Sequence, residues 1–404
     1  MVERDLRPVL ERAAGQFPVV VLVGPRQSGK STLCRAVFHT KPYTNLEAPD
    51  VRQFAADDPR GFLAQFPEGA VLDEIQRVPE LMSYLQVEVD SNPGPGRWIL
   101  TGSQNLLVMS RVSQSLAGRS AVLRLLPLSR PEVERFPEYP RDLDTTLLTG
   151  GYPRILDARV DPAAWLSSYV ATYIERDVRE LAAVGDLAAF QRFVQLCAGR
   201  TATLVNFSAL AADAGVSQPT AKAWLGILEA SFIVHRVAPW HRNAGKRLVK
   251  AAKLHFIDTG IACWLLGIRT AEQLRSHPLR GAMFESWVVG ECLKQREARG
   301  EKAGLYFYRD SHQLEVDVLL EDPEGFTLIE VKSGATIATE MLAPLKKVAA
   351  ELGGEGRLRL MAVIGSEEGQ RRSDVEIVPW RKIAAEVGGR GGSDQARRKP
   401  TTPQ

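Results

Sequence analysis

The feature that most constrains this chain is a glycine-containing run near its start. Residues 24–31 read GPRQSGKS, which fits the pattern G-x-x-x-x-G-K-[ST] at every fixed position. The run follows an apolar segment, 19–23, and precedes a helix-compatible segment, 32–37. A loop between a strand and a helix can surround an anion with backbone N–H groups, and the helix N-terminus adds partial positive charge. The sequence therefore predicts a phosphate-binding loop in an α/β domain rather than a plain glycine turn.

We expect this loop to bind the phosphates of a nucleotide. Lys30 suits the β- and γ-phosphates, and the Ser31 hydroxyl suits Mg²⁺. The expected nucleotide contacts in the loop are Gly24, Pro25, Arg26, Gln27, Ser28, Gly29, Lys30, Ser31 and Thr32. Mg²⁺ is therefore a predicted cofactor.

Two later segments supply candidate catalytic groups. Residues 70–74 (AVLDE) predict a short buried strand that ends in two carboxylates. Asp73 can hold the Mg²⁺ shell and Glu74 can polarise the attacking water, whereas the alternative is a solvent-facing acidic turn. A further apolar strand is followed by Thr101 and Ser103. One of these two hydroxyls is expected to hydrogen-bond the γ-phosphate or the water, and the sequence does not choose between them.

Arg119 is a candidate for a different role. It ends the run LAGR just before another apolar segment, 121–126. A planar guanidinium pairs well with phosphate oxygens, so Arg119 could reach a γ-phosphate on a neighbouring subunit. That role would require a homo-oligomer formed through the N-terminal domain. The alternative is an ordinary surface arginine.

The middle of the chain has the pattern of a helix-turn-helix. Residues 206–225 read as a capped helix, a glycine turn and a second helix with proline just inside its start. Gln218, Thr220 and Lys222 are expected to point outward. A hairpin follows, and residues 236–253 contain six Lys or Arg and no acidic residue. This pattern favours contact with the DNA backbone, and the alternative is a packing unit with a solvated basic face.

Four residues near the C-terminus form a second candidate site. Glu285 lies in a helical segment, Asp317 in one strand, and Glu330 and Lys332 two residues apart in the next, so the last two share a face. Asp317 and Glu330 could hold a divalent metal, Lys332 could act on the attacking water, and Glu285 could add a carboxylate. This set predicts metal-assisted phosphodiester hydrolysis; the alternative is an ordinary surface Glu–Lys pair beside an exposed Asp.

Composition restricts the class of protein. The 404 residues carry 51 Lys or Arg and 48 Asp or Glu, and all of the +3 excess lies in the tail 388–404. DNA contact would therefore depend on local patches rather than on a global field. The four cysteines form no CxxC pair, and no early apolar run approaches the roughly 20 residues of a membrane span. We expect a soluble cytoplasmic protein with no membrane contact.

The motifs together resemble a bacterial and archaeal family of AAA-superfamily ATPases. The resemblance rests on residues 24–31 (GPRQSGKS), 72–76 (LDEIQ), 100–104 (LTGSQ), 116–119 (LAGR), 173–178 (YIERDV), 309–311 (RDS), 315–317 (EVD) and 329–333 (IEVKS). It implies a P-loop ATPase module that takes ATP and Mg²⁺ as cofactors, a winged-helix middle and a restriction-endonuclease-like C-terminal domain. Such sequences usually have glycine at the turn occupied here by Gln313, so a turn needing positive φ would be strained.

The expected architecture is α/β and multidomain. It comprises a P-loop AAA-type parallel sheet with helices on both faces, a helical and winged-helix middle and an α/β nuclease-like domain. The expected divisions are 1–127 (ATPase), 128–198 (helical lid), 199–255 (winged helix), 256–387 (nuclease-like) and 388–404 (disordered tail). The expected function is Mg²⁺-dependent ATP hydrolysis coupled to a DNA-acting, nuclease-like region. The alternative is a nucleotide-switched regulatory protein whose nuclease-like domain cleaves nothing.

Overall fold

The structure is a computed structural model. It describes residues 2–103, 115–178, 185–242, 251–301, 304–334, 337–353, 356–371 and 374–388, with the backbone alone at 175–178 and 370–371. Gly388, the first residue of the predicted tail, closes the last helix, and the rest of that tail, 389–404, lies outside the described residues. Three basic residues of the predicted hairpin also lie outside them: Lys246, Arg247 and Lys250.

Five parallel strands form the N-terminal sheet, in the spatial order β2-β3-β4-β1-β5. The strands are β1 Val19–Val23, β2 Tyr43–Asn45, β3 Val71–Asp73, β4 Trp98–Gly102 and β5 Ser120–Arg124. The helices of this part are α1 Arg7–Ala14, α2 Lys30–Val37, α3 Pro49–Asp57, α4 Pro59–Ala64 and α5 Leu81–Ser91, with a 3₁₀ turn at Ile75–Arg77.

Strand β1 is buried on both faces. Val19, Val21 and Val23 belong to the core that includes α5. Val20 and Leu22 belong to the core that includes α1 and α2. Because successive side chains of a strand point to opposite faces, this division means that helices cover both sides of the sheet. The predicted fold class, a P-loop parallel sheet with helices on both faces, is confirmed.

The middle of the chain is helical. Its helices are α6 Arg130–Val133, α7 Leu143–Thr149, α8 Pro153–Asp157, α9 Pro162–Tyr169, α10 Leu187–Gly199, α11 Phe207–Ala214 and α12 Gln218–Ala230, and a π-helix at Val170–Val178 continues α9. The aromatic rings of Tyr152, Trp165 and Tyr169 pack together with centroids 4.7–4.8 Å apart. The Tyr169 hydroxyl donates to the Arg26 carbonyl at 3.4 Å, so this aromatic cluster touches the phosphate loop.

One nine-stranded mixed sheet unites the hairpin of the middle region with the C-terminal region, in the order β13-β14-β12-β11-β10-β9-β7-β8-β6. Its strands are β6 Thr203–Leu204, β7 Val234–Pro239, β8 Lys253–Phe256, β9 Leu305–Arg309, β10 Glu315–Asp322, β11 Gly325–Lys332, β12 Arg357–Ile364, β13 Gln370–Arg371 and β14 Glu376–Pro379. The helices are α13 Thr259–Leu265, α14 Ala271–Ser276, α15 Arg280–Arg299, α16 Ala343–Glu351 and α17 Ile383–Gly388, with 3₁₀ turns at Thr339–Leu342 and Trp380–Lys382. The expected division at 255/256 falls inside β8, and it stays a prediction.

The turn between β9 and β10 has the backbone that the sequence indicated. Gln313 adopts φ +63°, a left-handed conformation that glycine adopts with less strain. The Asp310 side chain stabilises this turn by accepting hydrogen bonds from the backbone N–H groups of His312 and Leu314, both at 2.8 Å. The turn therefore sets the start of β10, which carries Asp317.

The four cysteines are buried, and all four are free thiols rather than members of disulfide bonds. None of the helices in the described part of the chain combines the length and the apolar character that a membrane span requires.

Candidate functional site

The phosphate loop connects β1 to α2 through two glycines that no other residue could replace without strain. A Cβ on Gly24 would lie 2.1 Å from the Leu125 carbonyl oxygen, and Gly29 has φ +94° directly before the helix. Gln27 also has positive φ, at +61°. The loop therefore turns back tightly over the end of the sheet, which is the geometry that cradles an anion.

Lys30 is buried at the start of α2. Its ammonium donates to the carbonyl oxygens of Gly24 at 3.0 Å and Pro25 at 2.9 Å. Burial lowers its pKa, and the nearby carboxylates of Glu74 and Asp73 partly oppose that shift. A buried cation is thus held at the mouth of the loop, near two carboxylates.

A cavity of about 540 Å³ opens over the loop. The predicted nucleotide contacts that line it are Gln27, Gly29, Lys30, Ser31 and Thr32, together with Glu74. Arg26 instead pairs with Glu47 at 3.1 Å, and the buried Ser28 hydroxyl has no hydrogen-bond partner among the described residues. The volume lies within the roughly 300–1,000 Å³ typical of small-molecule sites.

Asp73 stands at the carboxyl end of β3 with both oxygens engaged. Its Oδ1 accepts hydrogen bonds from the Ser31 hydroxyl at 2.9 Å and from the Thr101 hydroxyl. Its Oδ2 accepts one from the Tyr43 hydroxyl at 2.5 Å. Burial and this hydrogen bond raise the pKa of Tyr43. Tyr43, on the neighbouring strand β2, was not foreseen, because an isolated tyrosine in a short strand carries no motif.

Glu74 follows in a left-handed conformation, φ +59°. Its backbone N–H donates to the Thr101 hydroxyl at 3.2 Å, and its carboxylate accepts from the Ser103 hydroxyl at 2.9 Å and from the Gln76 side-chain amide. The two hydroxyls between which the sequence did not choose therefore have separate partners. Thr101 contacts Asp73 and the backbone of Glu74, whereas Ser103 contacts the Glu74 carboxylate.

The N-terminal segment forms the opposite wall of the cavity, which no sequence motif indicated. The Arg4 guanidinium donates to the Ser28 carbonyl at 2.6 Å, to the Leu126 carbonyl at 2.7 Å and to the Glu132 carboxylate at 2.9 Å. Arg4 thus ties the phosphate loop to α6. Other wall residues absent from the sequence prediction are Val2, Leu128, Phe136, Pro153 and Arg154.

Arg119 lies outside this cavity. Its guanidinium pairs with both oxygens of the Asp90 carboxylate, at 2.5 and 3.0 Å, and its side chain is 36% exposed. Within one chain Arg119 is not among the residues that line the cavity. Its action on a neighbouring subunit stays a prediction.

The helix-turn-helix pattern corresponds to α11 and α12. Gly215 ends α11 with φ +74°, and the Ser217 hydroxyl caps α12 by accepting from the Thr220 N–H at 3.2 Å. Trp224 packs edge-on against two phenylalanines of α10. Gln218 and Lys222 are exposed, whereas Thr220 is only partly exposed.

The basic stretch after α12 differs from the prediction at Lys253. Arg236 is exposed and forms an ion pair with Glu229 at 2.6 Å, whereas Lys253 is only 2% exposed. The prediction of an outward basic face therefore fails for Lys253. Lys253 forms buried ion pairs with carboxylates that are distant in sequence, so it is not available to a DNA backbone.

The C-terminal candidate residues meet on one side of the mixed sheet. Lys332 pairs with Glu330 at 2.6 Å, and Asp317 accepts the Val331 N–H at 2.8 Å. Burial and the nearby Asp317 carboxylate raise the pKa of Glu330 to about 7 and that of Glu285 to about 8. Burial also raises the pKa of Asp317. This region therefore holds several carboxylates that lie close enough to repel one another.

Lys253 is the member of this group that the sequence did not reveal. Its ammonium lies 2.9 Å from Glu285 Oε1, 2.5 Å from Glu315 Oε1 and 3.8 Å from Asp317 Oδ1. Burial opposes its charge, but Glu285, Asp317 and Glu315 outweigh burial and raise its pKa. Within the described ranges, no group of three or more Asp, Glu, His or Cys side chains is arranged to hold a metal ion.

Three family models match successive parts of the chain. Residues 16–134 match the model of an AAA domain, and residues 140–272 and 280–383 match the domains of unknown function DUF8612 and DUF4143. Two solved structures are similar: the Walker-type ATPase PABY2304 of Pyrococcus abyssi (TM-score 0.45, 18% identity, 66% of this chain and 96% of that one) and AMPPCP-bound DnaA from Aquifex aeolicus (TM-score 0.27, 14% identity, 55% and 85%).

Two uncharacterised mycobacterial proteins are similar over most of the chain. Rv2008c of Mycobacterium tuberculosis and Mb2031c of Mycobacterium bovis are each 33% identical over 339 residues, which is 82% of this chain and 74% of theirs. The chain therefore belongs to the family of these two proteins, and it carries an AAA-family P-loop ATPase domain at residues 16–134.

Proposed function

We propose that the N-terminal domain binds ATP with Mg²⁺ and hydrolyses its terminal phosphoanhydride bond. The observation that carries the proposal is the 2.9 Å hydrogen bond between the Ser31 hydroxyl and Asp73, with Glu74 next in the chain and Lys30 buried beside it. Hydroxyl and carboxylate oxygens are the hard ligands that Mg²⁺ prefers, so Ser31 and Asp73 fit the ion. When bound, Mg²⁺ would neutralise charge on the β- and γ-phosphates.

Each residue then has a distinct task. When ATP binds, the Lys30 ammonium gives up its hydrogen bonds to the Gly24 and Pro25 carbonyl oxygens and donates to phosphate oxygens instead. The backbone N–H groups of the loop bind the remainder of the phosphate chain. Glu74 accepts a proton from the attacking water while the new oxygen–phosphorus bond forms and the bond to the β-phosphate oxygen breaks. Ser103 and Gln76 orient the Glu74 carboxylate through the hydrogen bonds they donate to it.

Phosphate release by the full chain with MgATP tests this proposal. Glu74→Gln is expected to keep ATP affinity and to lower turnover by about 100-fold or more, because the amide cannot accept the proton. Glu68→Gln, a change at an exposed carboxylate of the same domain, is the matched control and should leave turnover unchanged. Unchanged turnover in Glu74→Gln would contradict the role of Glu74 and favour a protein that binds ATP and hardly hydrolyses it.

We further propose DNA as the partner of the middle region. The proposal is supported by the cap and turn geometry of α11 and α12 and by the exposed Gln218 and Lys222 on α12. Fluorescence anisotropy with duplex DNA measures the affinity of the full chain for DNA at several salt concentrations. Lys222→Ala should weaken DNA binding and reduce the slope of log affinity against log salt concentration by about one. Lys346→Ala, at an exposed lysine on α16, should do neither. Equal affinity in wild type and Lys222→Ala would contradict α12 as the contact.

Two hypotheses remain for the C-terminal domain. Metal-dependent DNA hydrolysis would use Asp317, Glu330, Lys332 and Glu285, whereas a nucleotide-switched domain would cleave nothing. The ion pairs of Lys253 favour the switch, because its ammonium already neutralises carboxylates that a metal would need. A plasmid-nicking assay with Mg²⁺ or Mn²⁺ decides between them: no cleavage is expected, and cleavage that Lys332→Ala abolishes would establish the nuclease.

A further inference from the structure

Lys253 lies where strand β8, which carries it, meets three other structural elements. It is the first residue of β8, which pairs with β7 in the hairpin that follows the helix-turn-helix. Its ammonium contacts Glu285 of α15 and Glu315 of β10, and the Phe307 ring of β9 lies 5.4 Å away. The side chain is only 3% exposed. A charged group so deeply buried is stable only if its partners compensate for the lost water.

The carboxylates around Lys253 already have hydrogen-bond partners on most of their oxygens. The Lys253 ammonium contacts one oxygen of Glu285 and one of Glu315, and Arg309 takes the second oxygen of Glu315 at 2.8 Å. Asp317 Oδ2 accepts the Val331 N–H. A metal ion bound between Glu285 and Asp317 would compete with this ammonium, which lies 2.9 Å from the first carboxylate and 3.8 Å from the second.

We propose that the Lys253 ammonium is the permanent cation of this carboxylate cluster and occupies the place of a divalent metal. The cluster then ties the hairpin of the helix-turn-helix region to α15 and β10 by charge. This inference deepens the switch hypothesis for the C-terminal domain, on which its functional meaning rests. It does not depend on ATP hydrolysis at the N-terminal site.

The first test uses the wild-type chain. Mn²⁺ bound to the nucleotide-free full-length protein is counted by electron paramagnetic resonance, at free Mn²⁺ up to about 1 mM. Asp317→Asn should bind the same number of ions as wild type, because the cluster holds no metal when Lys253 is present. Loss of one bound ion in Asp317→Asn would overturn the proposal. Any ion at Ser31 and Asp73 is common to both proteins and cancels.

The second test removes the internal cation. Lys253→Met is expected to bind one more Mn²⁺ per chain than wild type, and the double variant with Asp317→Asn should lose that ion. Lys346→Met removes an exposed ammonium of α16 that pairs with Asp374, outside the cluster, and should gain none. A folded Lys253→Met protein that binds no additional Mn²⁺ would overturn the proposal. If this variant does not fold, the comparison of Mn²⁺ binding between wild type and Asp317→Asn still tests the proposal. The ion count is independent of DNA cleavage, so failure here is distinguishable from failure of the switch hypothesis.

Discussion

Replacement of Arg4 by methionine should destabilise the N-terminal domain. Arg4 is 8% exposed and joins the phosphate loop at Ser28, the end of the sheet at Leu126 and helix α6 at Glu132. Methionine keeps much of the side-chain volume but supplies none of these hydrogen bonds. The substitution therefore leaves the Glu132 carboxylate buried without its ion-pair partner.

The size of the expected stability loss depends on the hydrogen bonds that Glu132 keeps. Loss of one partner of a buried ion pair costs about 3–5 kcal/mol. Glu132 still accepts hydrogen bonds from the backbone N–H groups of Asp5 at 2.7 Å and Ser129 at 2.9 Å, which places the expected loss near the lower end, about 3 kcal/mol. Scanning calorimetry of the nucleotide-free chain should show the N-terminal transition about 6–12 °C lower.

The effect should depend on pH. Burial opposes the Glu132 charge, but Arg4 and the two backbone N–H groups outweigh burial and lower the pKa of Glu132. A carboxyl whose folded-state pKa is lowered stabilises the fold above its unfolded pKa, and this contribution is lost as the pH falls through the folded value. The difference between wild type and Arg4→Met should therefore be largest near neutral pH and shrink below about pH 4.

Arg7→Met is the matched control. Arg7 pairs with Glu11 on the surface of α1, where the two side chains are 43% and 47% exposed, so its loss should change stability by no more than about 0.5 kcal/mol. Equal melting temperatures for Arg4→Met and Arg7→Met would refute the argument that the hydrogen bonds of Arg4 stabilise the N-terminal domain.

Three further predictions concern single residues. Thr101→Val removes the hydroxyl shared by Asp73 and the Glu74 backbone, and steady-state phosphate release should fall by about 10- to 100-fold with little change in ATP affinity. Trp224→Ala should destabilise the helix-turn-helix by about 3–5 kcal/mol in urea unfolding, because its buried ring leaves a cavity. If Arg119 acts on a neighbouring subunit, Arg119→Ala should lower turnover only at protein concentrations where mass photometry shows an oligomer, and equal loss in the monomer would contradict that role.

Local patterns were sufficient to predict the N-terminal domain. A strand, a phosphate loop and a helix follow one another within residues 19–37, and the two carboxylates sit at the end of their own strand, so contacts close in sequence specify the geometry. The sequence could not separate the roles of Thr101 and Ser103. Their partners, Asp73 and Glu74, lie at the end of another strand, β3, and only the register of β3 against β4 shows which hydroxyl meets which carboxylate.

The C-terminal half shows why the remainder could not be predicted. Lys253 belongs to a basic stretch and looked solvent-facing, yet its partner Glu285 is 32 residues away and Glu315 is farther still. Likewise, β7 and β9 pair in parallel although a long segment separates them. Such contacts depend on how strands from different regions assemble into one sheet, which neither charge runs nor periodicity encodes.

The central claim is that the loop and its lysine bind ATP for hydrolysis. Its most direct test is calorimetric ATP binding together with phosphate release for wild type and Lys30→Ala, both with Mg²⁺. We expect wild type to bind ATP and release phosphate, and Lys30→Ala to lose both, because the buried ammonium lies at the mouth of the loop. A Lys30→Ala protein with wild-type ATP affinity and wild-type phosphate release would contradict the account.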